Sequence, residues 1–68
     1  MKPLTAREVE RILRRNGFHY VKTEGSHFKW ANDETGRTTS VPRHANRTLQ
    51  QGLLLAIFRQ AGIEPPKR

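Results

Sequence analysis

At Asn16-Gly17 the spacing of apolar residues changes from a helical period to a strand period, and no other feature limits the fold as much. Before the switch, Ala6, Val9, Ile12, Leu13 and Asn16 fall on one side of a helical wheel. Arg7, Glu8, Glu10, Arg11, Arg14 and Arg15 fall on the other. Thr5 with Glu8 forms a capping box at one end, and Gly17 supplies a stop at the other. The pattern predicts a helix over Ala6 to Asn16. After the switch, "FHYVK" is rich in aromatic and β-branched residues and reads as a strand. "TEG" reads as a turn. "SHFKWAN" then alternates, with Ser26, Phe28 and Trp30 on one face and His27, Lys29 and Ala31 on the other. "NDETG" makes a second turn around Gly36, and "RTTSV" a third strand, ended by Pro42.

"PRHANR" leads back to a second helix with Leu53, Leu54, Ile57, Phe58 and Ala61 on its apolar face. Thr48 with Gln51 offers a second capping box, or Gly52 is itself the cap. Gly62 and Ile63 suit a Schellman closure. The order predicts an α+β fold, α-β-β-β-α, in which a three-stranded antiparallel sheet packs both helices on one face. Residues 1–64 are expected to form the single domain, with 65–68 a flexible tail. Phe28 and Trp30 should face the helices, which sends His27 and Lys29 to the open face of the sheet.

Charge narrows the partners. Thirteen Lys and Arg stand against six Asp and Glu in 68 residues, a net charge of +7, and nine of the thirteen are Arg. The sequence pI is near 11.2. Such a balance suits a polyanion, or an acidic protein. The absence of cysteine removes disulfides and thiolate metal sites. The run from Leu53 to Phe58 is far shorter than the roughly 18 apolar residues of a membrane span. "MKPLTAREVE" turns polar too early for a signal peptide. A soluble cytoplasmic protein with no membrane association is the expectation.

Most site chemistries find no support. His19, His27 and His44 lack the spacing of a metal site, and the acids do not converge as a two-metal nuclease requires. Ser26 is next to His27, but neighbours on a strand point to opposite faces, so a serine nucleophile is disfavoured. Histidine acid–base chemistry on RNA remains. RNA carries its own nucleophile, the 2′-hydroxyl. A catalyst need only remove its proton, stabilise the charge on phosphorus and protonate the leaving 5′-oxygen. His27 with Lys29 on one exposed face fits that task, with Arg37, Arg43 and His44 as further phosphate-binding candidates. A surface histidine in a basic strand is the competing reading. His44 reads as a second proton carrier, a phosphate ligand or a loop residue holding its own backbone. His19 reads as structural or solvated.

These motifs, taken in order, resemble the HicA toxins of type II toxin–antitoxin systems. They are "LRRNGF" closing the first helix, "GSH" opening the middle strand, "VPRH" after the third strand, and "IFRQAGI" in the second helix. The resemblance runs from Leu4 to Ile63. It implies a fold like the double-stranded-RNA-binding domain, and a ribosome-independent mRNA interferase that needs no metal cofactor. It also implies that His27 is the catalytic histidine, carried in the turn of Gly25 and Ser26. The implied partners are mRNA and a HicB antitoxin that covers the His27 face, with a higher-order toxin–antitoxin complex possible. The alternative is a non-catalytic RNA-binding module of the same fold. Against it, the start of the second helix carries Arg47 in place of a lysine cluster. Leu55 lies at the edge of the second helix's stripe, as core, antitoxin contact or self-association contact.

Overall fold

The structure is a computed structural model that describes residues 2–43 and 47–66. Its elements are α1 (Ala6–Arg15), β1 (His19–Glu24), β2 (His27–Ala31), β3 (Thr38–Pro42) and α2 (Gln51–Ala61). The three strands form one antiparallel sheet in the order β1-β2-β3. The expected α-β-β-β-α order is therefore the observed one.

The helix ends follow from local chemistry. Thr5 accepts a hydrogen bond from the Glu8 N–H, and Glu8 Oε1 accepts one from the Thr5 N–H at 2.8 Å. That backbone bond, first among the causes, holds the Glu8 carboxyl below its ordinary pKa. Beyond α1, the Phe18 N–H reaches Leu13 O at 3.0 Å, with Gly17 at φ 89. Beyond α2, the Ile63 N–H reaches Phe58 O at 3.0 Å, which is the Schellman closure expected there. The start of α2 differs from expectation. Gln50 is its N-cap, with no side-chain cap bond, and Gly52 lies inside the helix. Thr48 is bridged to Thr5, and the Leu49 N–H donates to Leu4 O at 2.8 Å. The lead-in to α2 is thus paired with the lead-in to α1, and the capping box at Thr48 does not form.

β1 runs two residues further than its aromatic run suggests. Thr23 pairs with Phe28 and Glu24 with His27, so the turn shrinks to Gly25-Ser26. Such two-residue hairpins need a positive φ at their first position, and Gly25 adopts φ 61. A bulge between Tyr20 and Lys22 leaves Val21 unpaired. At the other edge, Pro42 is the last paired residue of β3, opposite His27. An edge strand tolerates proline because one side of it has no ladder to donate to. Arg37, expected to begin this strand, precedes it.

One cluster joins Val9 and Leu13 of α1, Trp30 and Val41 of the sheet, and Leu54, Ile57 and Phe58 of α2, each almost fully buried. Both helices therefore cover the sheet face that carries Phe28 and Trp30. Thr39, across from Trp30, is buried there and its hydroxyl donates to Gln60 Oε1 at 3.0 Å. Leu53, placed on the apolar stripe, is 36% exposed, and Leu55, left open at the stripe's edge, is exposed beside it. Glu10, placed among the solvated residues, is only 2% exposed. Its partner is Arg43, whose Nη2 donates to Glu10 Oε1 at 2.5 Å from 33 residues away. A helical wheel does not show that contact.

Buried Asn32 ties the β2–β3 loop to α1. Its side chain donates to Asn16 O at 3.0 Å and accepts from the Glu34 N–H at 2.9 Å. Nearby, both ring nitrogens of exposed His19 face acceptors, Asp33 Oδ1 at 3.2 Å and Tyr20 O at 3.3 Å. A doubly protonated ring satisfies both, so the His19 pKa is raised, chiefly by the Asp33 hydrogen bond and next by Tyr20.

Two outcomes are expected. Thr5→Ala removes the α1 cap and should lower unfolding free energy by about 1 kcal/mol, read from the denaturant midpoint. His19 should titrate above its unfolded value of about 6.5 when followed by NMR of its ring protons, and Asp33→Asn should return it toward that value. A raised folded pKa stabilises fully below the unfolded one. The contribution should therefore vanish as pH rises through the folded value, and Asp33→Asn should lack that dependence.

Candidate functional site

The middle strand dictates the site. Phe28 and Trp30 point toward the helices, so His27, Lys29 and Ala31 point to the uncovered face. His27 stands at the turn end of β2 and is exposed. Lys29 follows on the same face, half-buried.

The bulge at Val21 adds two residues that alternation from Tyr20 would hide. The Tyr20 ring lies 6.0 Å from Phe28 and 6.1 Å from Trp30, on the helix side. Without a bulge, Lys22 would share that side. With it, Lys22 pairs with Lys29 and Glu24 with His27, and both β1 residues face outward. Two lysines directly opposite repel each other. Glu24 relieves this, with Lys22 Nζ at 3.1 Å and Lys29 Nζ at 3.7 Å from its carboxylate. The Glu24 carboxyl is held below its ordinary pKa by these lysines, Lys22 first. Lys22, Glu24, Lys29, Thr38 and Ser40 line a shallow hollow of about 770 Å³, which Trp30, Thr39 and Gln60 also border from the helix side. His27 is outside that lining, past Lys29 at the turn. The Ser40 hydroxyl is buried in the sheet without a hydrogen bond.

Lys22 and Glu24 escape a sequence reading for two reasons. The bulge has no marker such as glycine, and Glu24 next to Gly25 looks like part of the turn.

The other candidates are distributed. Gly25 and Ser26 form the turn that presents His27, and Ser26 O accepts the Arg43 N–H at 3.0 Å. The Arg43 side chain goes the other way, toward the helices. Its guanidinium carbon lies 4.1 Å from the Phe28 ring centroid, and it binds Glu10. Arg37 is not beside His27. It lies before Thr38, which pairs with Ala31, four residue steps or about 13 Å along β2. Its Nη1 donates to Gln60 O at 3.5 Å, where a cation meets the negative end of the α2 dipole. His19 is at that far end too, opposite Ala31. His44 lies outside the described residues.

Among the described residues, no group of three or more His, Asp or Glu could hold a metal ion. No described helix is long and apolar enough to cross a membrane. The face instead brings together a histidine, two lysines and one carboxylate, which can move a proton and hold an anion.

No curated protein matches the chain. Residues 6–63, spanning every helix and strand, match the family model of the HicA toxin of bacterial toxin–antitoxin systems. The chain belongs to the HicA toxin family, and is by that membership a toxin of a toxin–antitoxin system.

Proposed function

We propose that this toxin is an endoribonuclease that cleaves single-stranded mRNA with His27 as general acid or base, and arrests growth by removing messages. The observation that carries this reading is the placement of His27. It is exposed at the end of β2, on the same face as Lys29 and opposite Glu24. In the reaction, His27 exchanges a proton with the 2′-hydroxyl or with the departing 5′-oxygen. The 2′-oxygen attacks phosphorus, the bond to the 5′-oxygen breaks, and a 2′,3′-cyclic phosphate and a 5′-hydroxyl result. Lys29 and Lys22 stabilise the charge on the phosphoryl oxygens, which requires cations held in place beforehand. No step calls for a metal. The partner that restrains such a toxin is an antitoxin of the HicB type, covering the His27 face. Arg37 and Arg43 lie away from this face, so phosphate contacts at the reacting group fall to the lysines.

His27→Ala should abolish cleavage of a single-stranded message in EDTA, with unfolding unchanged because an exposed side chain contributes little to packing. Cleavage by the variant at the wild-type rate would sink the assignment. Glu24→Gln should release both lysines from their carboxylate and lower KM for RNA several-fold. A rise in KM would mean that Glu24 aids substrate binding instead of competing with it.

A further inference from the structure

The open face leaves most of the arginines unexplained. Four of them meet elsewhere. Arg7, Arg11 and Arg14 of α1, with Arg43 after β3, line a cleft of about 290 Å³ whose remaining lining residue is Glu10. Arg7, Arg11 and Arg14 follow one another at i, i+4 and i+7, which makes a row about 10 Å long on one helix face. Two of the guanidinium groups are already held. Arg43 is fastened by Glu10 and lies over Phe28, and the Arg14 guanidinium carbon is 5.0 Å from the Trp30 ring centroid. Phe28 and Trp30, the two inward residues of β2, thus seat one arginine each. Glu10 is buried, and its Oε2, like Arg43 Nε, has no hydrogen-bond partner. Four cations against one buried carboxylate leave the cleft strongly positive.

We infer that this cleft is a second phosphate-binding site, which holds the backbone of the single-stranded RNA beside the segment being cut. The inference rests on RNA being the substrate. Its ligand chemistry follows from the lining. No apolar side chain is present, so a peptide would gain no hydrophobic contact there. Phosphodiester oxygens need only donors, and guanidinium groups supply these in a planar fork. The cleft also adjoins the reacting end of the sheet. Arg43 follows Pro42, the residue paired with His27, and its N–H binds the carbonyl of Ser26. A strand of RNA rounding the Gly25-Ser26 end reaches His27 on one face and the arginines on the other.

The test uses a fluorescein-labelled 2′-O-methyl RNA single strand, which lacks the nucleophile and stays uncut whatever the protein does. Arg7→Ala with Arg11→Ala, both exposed on α1, should weaken binding about tenfold. The slope of log Kd against log salt should shrink by about 1.4, the value for two phosphate contacts on a single strand. Arg15→Ala with Arg59→Ala removes the same charge outside the cleft and should change Kd by less than about twofold on the same scale. Equal loss in both double variants would show diffuse attraction and overturn the site, as would no loss in the first. Cleavage of unmodified message is scored separately. Intact message with the wild type, alongside the Arg7/Arg11 effect, would remove the nuclease reading and leave the cleft. Normal cutting with unchanged binding in the double variant would remove the cleft alone.

Discussion

Burial of Phe28 and Trp30 on one face of β2 is the constraint on which the rest of the molecule depends. Trp30 is nearly inaccessible, and Phe28 packs against the same core. A strand has only two faces, so fixing these rings inside fixes His27 and Lys29 outside. The same rings shape the far side, since each carries a guanidinium group on its helix-facing surface. One short strand thus sets the position of the histidine and of two arginines.

The sheet is small, and its two edges do different work. The β1 edge carries a bulge, which rotates Lys22 and Glu24 onto the open face while Tyr20 stays with the core aromatics. The β3 edge ends in Pro42 and Arg43. Arg43 joins the hairpin turn through its backbone and α1 through its side chain. Glu10 has no solvent to stabilise its charge, so its ion pair is weak evidence of stability. Loss of one partner would strand a buried charge. Its clearer consequence is geometric, because it fastens the end of β3, and with it the turn before His27, to the first helix.

Membership of the HicA toxin family covers nearly the whole chain. It states what kind of system the protein serves. The chemistry must be argued from the side chains. On the open face, one carboxylate bridges two lysines and leaves one positive charge unbalanced. The arginine cleft lies on the other side of the sheet, and the two together spread the positive charge over both faces of the turn end.

Much of this was legible in the residues alone. The helical stripe of α1, the capping box at Thr5, the alternation of β2 and the closure at Gly62 are local patterns, set by periods of about 3.6 and 2 and by glycine's access to positive φ. They carried the fold class and the outward direction of His27. What tertiary structure decided was every contact between distant segments. The bulge at Val21, the pairing of Glu24 with His27, the bridge from Thr48 to Thr5 and the burial of Glu10 against Arg43 leave no periodic trace. Each depends on where another element comes to lie. The physical reason is that local propensity reads neighbours within a turn or a strand, whereas register and ion pairing are settled by residues far apart in the chain.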